Sequence, residues 1–573
     1  MIDRDIHLAR ALLVEGNSLL RSVAAAQLRD TGVGHVTSAS RVKDARLLLE
    51  RKQFDIVVCN REFEDSDYSG QDLLDELRRE KLLPHSTVFL MVTAQASYNQ
   101  VVEAAESALD GFLVRPFTAA TLGIKLLEAR NRKRELAPVL RALDAGQSQV
   151  ALVHAIKRFQ EQQPYWAYCG RLAAELMMTL QRPDDALRLF EHLVKAKPTA
   201  TWAHLGVARA QSALGDNAAA RRTVQAALMQ EPSSADAHDL MGRMWVEQCD
   251  FEAALGEYRT AAGLTPGCLL RNQHAGALAF YQGHADDALK FLERTLGMGA
   301  QSKLFDPLSL LLIAMLRFDR SDAGNVAAMR EQLRRHRARQ PESARLTCFE
   351  KAADALTGLM STQPEASLPL LREFLAAAGR DDFDLEAANI ALSLWERVPV
   401  NMRPAADHEA LIERIALRFC TSKAVGEVLC AAARRADDAV AMIRRCQARL
   451  LATTEKAMEH ALKGEPEQAV QMLVEEGERT LNAKLLEMAV LLARKHAAAF
   501  PEGQALAARA GDLVRRTVQS GGRIAGIQRS GRSPGGLQLR GNMPLTTSTA
   551  PAVPAMPAMP AVPAVQLSSA AAA

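Results

Sequence analysis

The sequence predicts a multidomain chain: an α/β domain on a doubly wound, parallel five-stranded sheet, then an all-α helical-repeat superhelix, then a disordered tail. Three observations predict it. Up to about residue 130, short apolar runs alternate with helical patterns, as in a parallel sheet with crossover helices. Between Ala167 and Ala300, Pro198, Pro232 and Pro266 recur every 34 residues, the period of a stacked helix–turn–helix unit. From Gly521 the texture collapses, and PAVPAMPAMPAVPAV stands near the end, a Pro/Ala composition that suits an extended chain.

Length and composition set the bounds. A chain of 573 residues is too long for one core. A net charge of +3 gives no global electrostatic case for nucleic acid or membrane binding. The eight cysteines lie far apart and form no CxxC pair, which argues against zinc and against a disulfide framework. MIDRDIHLAR has no apolar signal core, and no run of 18 apolar residues follows. A cytoplasmic protein with no membrane partner is expected.

Taken in order, Ala11–Val14 reads as a buried strand and Ser18–Asp30 as a helix. His35–Thr37 is a second strand, with a helix over Val42–Arg51. Phe54–Cys59 is a third, with a helix near Gly70–Glu80; Val88–Val92 is a fourth, with a helix near Asn99–Ala108. Gly111–Val114 is a fifth, and a long helix starts at Thr118. In such sheets function sits at the carboxyl ends of the strands.

Those ends carry Glu15-Gly16-Asn17 after strand one, Asn60 after strand three, Thr93 after strand four, and Phe112 with Arg115-Pro116 on strand five. The region resembles the CheY-like receiver domains of bacterial two-component response regulators. The resemblance implies a flavodoxin-like fold with an acidic pair at Glu15-Gly16 and a phospho-accepting Asp at position 60. It further implies Thr93 at the hydroxyl position, a Lys followed by a cis-proline at Arg115-Pro116, and a switch aromatic at Phe112. The departures are chemical. An amide cannot form the acyl phosphate that a carboxylate forms, and Gly16 and Asn60 remove the carboxylates that Mg²⁺ requires. Arg115 replaces a compact ammonium with a planar fork, and an ion pair with Glu15 would fill the emptied pocket. The expectation is a degenerate pocket without cofactor or metal, in a pseudo-receiver not phosphorylated at position 60.

Two rivals stand beside it. Asp65 or Asp67 in the following loop is a substitute phospho-acceptor. A flavodoxin-like enzyme or nucleotide binder is the other; Glu15-Gly16-Asn17 is not a GxGxxG turn.

The helix from Thr118 to about Leu136 is basic, with Arg130, Arg132, Lys133 and Arg134, and Arg141 follows. Without interleaved aromatics it reads as a solvated linker rather than a nucleic-acid contact. Leu152–Phe159 reads as the first helix of a capping repeat.

In the periodic stretch Ala186, Ala220, Ala254 and Ala288 keep the 34-residue step, as do Phe190, Val224, Tyr258 and Leu292. So do the small residues Ala174, Ala208, Gly242 and Gly276. A small residue lets two helices approach, a large one fills the space beside it, and a proline ends the second helix. This resembles the tetratricopeptide repeat family. The third unit matches most fully through Gly242, Trp245, Ala254, Tyr258, Ala261 and Pro266; the fourth has Ala300 where proline belongs. The resemblance implies a groove lined by the first helix of each unit. Its candidates are Arg171, His204, Gln211, His238, Trp245, Asn272 and Ala279, a surface suited to an extended peptide or partner helix.

Beyond Ala300 the strict period fades. Leu308–Phe318 is apolar, Arg330–Arg345 reads as a solvated basic face, and Asp384–Trp395 and Ala410–Phe419 read as amphipathic. Gly464, Ala469 and Leu473 again look repeat-like, in a region that curves back or mediates dimer contacts. The expected division is a receiver-like domain at 1–130, a helical linker and cap at 131–166, four repeats at 167–300, degenerate repeats at 301–515 and a tail at 516–573. With no HExxH, GxSxG or Walker loop, the expected function is a non-enzymatic signalling adaptor. Its partners would be a protein in the repeat groove and a signalling partner, or a second copy, at the receiver. A receiver-controlled DNA-binding transcriptional regulator is the alternative.

Overall fold

The computed structural model describes residues 5–63, 70–79, 82–94, 110–299, 305–361, 383–402, 405–496 and 503–518, with scattered positions between 364 and 380. Asp65 and Asp67, the helix expected near Asn99–Ala108, Ala300 and the tail from 519 lie outside the described residues.

The first domain is built on strands β1 (Arg10–Val14), β2 (His35–Ala39), β3 (Ile56–Asn60), β4 (Val88–Thr93) and β5 (Gly111–Val114). All pairings are parallel, in the order β2-β1-β3-β4-β5. Side chains alternate between the two faces of a strand, and both faces are buried here. Ala11, Leu13, Ile56, Val58, Leu90 and Leu113 join Leu28 and Leu126 in one core. Leu12, Val14, Val57, Cys59, Phe89 and Met91 join Leu49, Leu73 and Leu77 in the other. That is why these strands read as near-continuous apolar runs.

Thr118 caps the helix Ala119–Glu135 by accepting from the Thr121 backbone N–H. Pro138 opens a second helix, Ala137–Asp144, and has no N–H with which to continue the first. One expectation is corrected here. Lys133 and Arg132 do not lie on a solvated linker face: both reach Asp110, at 3.1 and 2.5 Å, and Lys133 also donates to the His85 carbonyl at 2.6 Å.

Eight helices then pair off in order: Trp166–Thr179 with Pro183–Ala196, Thr201–Ala213 with Asn217–Gln230, Ala235–Glu247 with Phe251–Leu264, and Leu269–Gln282 with Ala285–Gly299. The small-to-large spacing works as contact. A Cβ on Gly242 would sit 2.8 Å from Tyr258 Cε1, and one on Gly276 would sit 2.7 Å from Leu292 Cγ. Helical hairpins continue through Leu308–Asp319, Ala323–Arg339 and Ala344–Leu359, and on to Asp437–Leu462, Pro466–Thr480, Ala483–Lys495 and Gly503–Val518.

The later region differs from its expectation at two places. Leu385–Trp395 is not amphipathic; all of its residues are buried. The basic face of Ala323–Arg339 is ion-paired rather than simply solvated. Arg334 and Arg337 meet Glu350 at 3.4 and 3.2 Å, Arg330 pairs with Asp354, and Arg345 turns inward to Asp306 at 2.8 Å and to Glu386. Among the described residues, one apolar core gathers side chains from Val246 to Ala510. The chain closes on itself because the helix Lys423–Ala432 packs on Leu269–Gln282. Arg434 then donates to the carbonyls of Phe280 at 2.6 Å and Tyr281 at 2.8 Å at the end of that helix. No described helix is long and apolar enough to cross a membrane.

Candidate functional site

The carboxyl ends of the strands bring Glu15, Gly16, Asn60, Thr93 and Arg115 to one edge of the sheet. β1 delivers Glu15, which is 2% exposed. One of its carboxylate oxygens, Oε1, accepts from the Asn17 backbone N–H at 2.9 Å; the other, Oε2, accepts from Arg115. Arg21 holds the turn by donating to the carbonyls of Glu15 at 2.7 Å and Gly16 at 3.0 Å. Gly16 contributes no side chain, and Phe63 lies 3.6 Å from where its Cβ would be. Asn60 ends β3 and donates from Nδ2 to the Glu62 carbonyl at 2.7 Å. Beneath it the Cys59 thiol is pushed up by burial and by the Glu15 charge, so it stays a neutral packing group.

Thr93 is buried, and its carbonyl accepts from the Arg115 backbone N–H at 2.9 Å, which ties β4 to β5. The Arg115–Pro116 peptide bond is cis. Phe112 is half-buried against the core that holds Phe89 and Met91.

On the repeat array the groove candidates divide. His204, His238 and Asn272 occupy one repeat position, 34 residues apart. Each reaches back to the carbonyl of the proline six residues earlier: Pro198 at 2.8 Å, Pro232 at 3.0 Å and Pro266 at 3.0 Å. This polar staple closes the turn between units. Asn272 is fully buried and so is Ala279, which corrects their assignment to an accessible groove. The ring of His238 also contacts Glu257 at 2.6 Å; burial works against its charge, but Glu257, the Pro232 carbonyl and Asp239 together outweigh burial and raise its pKa.

Gln211 accepts from Thr223 at 2.9 Å. Arg171 stacks over Trp202 at 4.7 Å and Arg221 over Trp245 at 5.1 Å, cation–π pairs that keep both indoles half-buried.

Several residues were not singled out from the sequence. Arg209 and Glu175 sit 34 residues apart and form a buried bidentate pair at 2.9 and 2.5 Å. Tyr168 and Trp202 share another repeat position. In a chain with only 5% aromatic residues, that recurrence was the available signal. Asp110 was missed because nothing local marks it. It accepts from the Phe89 N–H at 2.9 Å. Burial opposes its charge, but Lys133, Arg132 and Arg78 outweigh that and hold its pKa below the ordinary value. Together with His85, which contacts Asp144 at 2.8 Å, this cluster clamps the first domain to the helices that lead into the repeats.

The family models and the sequence relatives agree with this architecture. The family model of the response regulator receiver domain matches residues 11–126, and a tetratricopeptide repeat model matches residues 177–244. Chemotaxis protein CheY-3 of Vibrio cholerae serotype O1 is 37% identical over 117 residues, which cover 20% of this chain and 88% of the relative. Chemotaxis protein CheY of Pseudomonas aeruginosa is 34% identical over 117 residues, covering 20% of this chain and 92% of its own. A solved structure of chemotaxis response regulator CheY4 of Vibrio cholerae aligns at 23% identity and a TM-score of 0.20, over 21% of this chain and 98% of its own. With a parallel five-stranded sheet in the order found here and a relative matched over most of its length, the chain belongs to the response regulator receiver family, its receiver domain fused to tetratricopeptide repeats.

Proposed function

We propose that this protein is a signalling adaptor whose receiver works by docking rather than by aspartyl phosphate at position 60, and whose repeats hold a protein partner. The observation that carries the reading is the engagement of Glu15, the one carboxylate among the five pocket residues. One of its oxygens is taken by Arg115 and the other by the Asn17 N–H. Mg²⁺ needs about six oxygen ligands in near-octahedral array. Gly16 offers none, and the Glu62 carbonyl is engaged by Asn60, so these residues do not fit the ion. An amide at position 60 has no carboxylate oxygen with which to attack a phosphoryl group. A state change would then come from a ligand that binds two conformations unequally.

A protein partner is favoured over nucleic acid because the basic segments are engaged within the chain. Lys133 and Arg132 meet Asp110, and Arg334 and Arg337 meet Glu350. A nucleic-acid interface would need such charges to neutralise phosphates rather than carboxylates of the chain itself. The test of the pocket is incubation of the full chain with acetyl phosphate and Mg²⁺, read by intact mass. No acid-labile phosphoryl adduct is expected. An adduct mapped to Asp65 or Asp67 would replace this reading with a relocated phospho-acceptor.

A further inference from the structure

We propose that residues 551–565 of the chain's own tail dock on the aromatic stripe formed by Tyr168 and Trp202, at the entrance of the repeat array. The first observation is a rhythm in the tail sequence. Pro551, Pro554, Pro557, Pro560 and Pro563 recur every third residue, and so do Val553, Met556, Met559, Val562 and Val565. A polyproline II chain has three residues per turn. In that form the prolines share one face, the Val and Met side chains share another, and the segment carries no charge.

The second observation is the surface. Tyr168 is 37% exposed, and Trp202 is half-buried with the Arg171 guanidinium 4.7 Å from its ring centre. They occupy the same repeat position on Trp166–Thr179 and Thr201–Ala213, two helices in contact with each other. Exposed Tyr165 and half-buried Trp166, whose ring lies 5.8 Å from Phe159, continue the aromatic surface at the same end. Proline-rich segments dock on grooves lined with aromatic rings because their backbone is already ordered and little entropy is lost on binding.

The spacings agree. One turn of polyproline II rises about 9 Å, and packed helices lie roughly 8–10 Å apart. Successive prolines therefore meet successive aromatic rings. The stripe is two units long. At the same position the third unit has Asp236, which is held by the buried Arg271 at 2.8 Å.

The occupant is argued from the chain itself. The last described helix ends at Val518, and residues 519–550 separate it from the proline segment. Such a linker spans up to about 110 Å fully extended and roughly 30 Å on average when flexible. Tethering sets an effective concentration on the order of millimolar. A resident tail would have to be displaced by any partner entering at the first two units. The docking itself stands independently of the adaptor reading above.

The test uses the full chain and a second full chain in which the five prolines at 551, 554, 557, 560 and 563 are changed to alanine. A fluorescent peptide of residues 549–566 is titrated with each and followed by anisotropy. The expected result is binding to the alanine-tailed chain at least about tenfold tighter than to the native chain, whose own tail competes. Trp202→Ala in the alanine-tailed chain should remove most of that binding. Tyr168→Ala serves as a second variant, with thermal melts confirming that both fold. The proposal is overturned by equal binding to the two tails, by binding indifferent to both substitutions, or by equal binding of a peptide with the same residues in shuffled order. Competition that grows with protein concentration would place another copy's tail in the seat and overturn the intramolecular form. None of these readings involves phosphoryl transfer, so the adaptor reading can fail without this one.

Discussion

Two first helices of the repeat array, Thr201–Ala213 in the second unit and Leu269–Gln282 in the fourth, follow the same 34-residue pattern and have opposite fates. The first leaves Thr201, Trp202, His204 and Gln211 half-exposed. The second is buried from Arg271 through Tyr281. Its extra cover comes from far along the chain. Lys423–Ala432 packs on it, and Arg397 stacks over Phe280 at 5.6 Å. A repeat motif specifies how a hairpin closes and stacks; whether its concave face stays open depends on chain outside the repeat.

The strongest way to break that difference is Arg271→Ala. This side chain is 3% exposed and holds Asp236 at 2.8 Å, Asp239 at 2.7 Å and Thr265 at 2.7 Å. Removing it leaves two carboxylates without their buried cation, which costs about 3–5 kcal/mol. The urea midpoint of the array should fall accordingly, and a midpoint within error of wild type would show that the fourth unit does not depend on its burial.

A smaller effect sharpens the comparison by pH. His274 is buried in the fourth unit, and burial, with Arg243 and Arg271 adding to it, lowers its pKa from 6.5 to about 3. The unfolded chain therefore takes a proton that the folded chain refuses. Stability is full above the unfolded value of 6.5 and is lost as pH falls toward 3. Between pH 6.5 and about 5 the loss comes to about 2 kcal/mol. His274→Phe should flatten that slope in urea titrations repeated across the range.

The smallest effect concerns a single hairpin. Gly242→Ala puts a Cβ 2.8 Å from the Tyr258 ring, and overpacking of this kind costs about 1–3 kcal/mol. Gly256, on the partner helix, has nothing within 4 Å of the place an added methyl would take. Gly256→Ala should instead gain about 0.5–1 kcal/mol from helix propensity. Thermal melts that moved in the same direction for both would sink the account of the 34-residue spacing as a packing code.

Much of the molecule was legible in the sequence. The five strands and the helices Ser18–Asp30 and Val42–Arg51 follow from apolar periodicity, because burial on one or both faces writes a period into the chain. The Gly242–Tyr258 contact was readable for a related reason: a close approach demands a small residue wherever it recurs. At the pocket, the residue types at positions 15, 16, 60, 93 and 115 could be read from the strand ends. How Asn60 spends its amide on Glu62 could not, since that depends on the local turn. The inward pairing of Lys133, Arg132 and Arg345 was not legible either. A basic side chain looks the same in sequence whether it faces water or a buried carboxylate far along the chain.

By itself the sequence determined the receiver sheet, the repeat period, the packing code within each hairpin and the presence of Gly and Asn, not carboxylates, at positions 16 and 60. These are matters of local periodicity and residue chemistry. Tertiary structure alone decided that Glu15 has both oxygens engaged, that Asp110 anchors the connector, and that the fourth unit is sealed by residues around 397–434. Each of those depends on which distant groups a buried charge or an apolar face meets once the chain has folded, because desolvation penalises any partnerless arrangement wherever along the chain the partner lies.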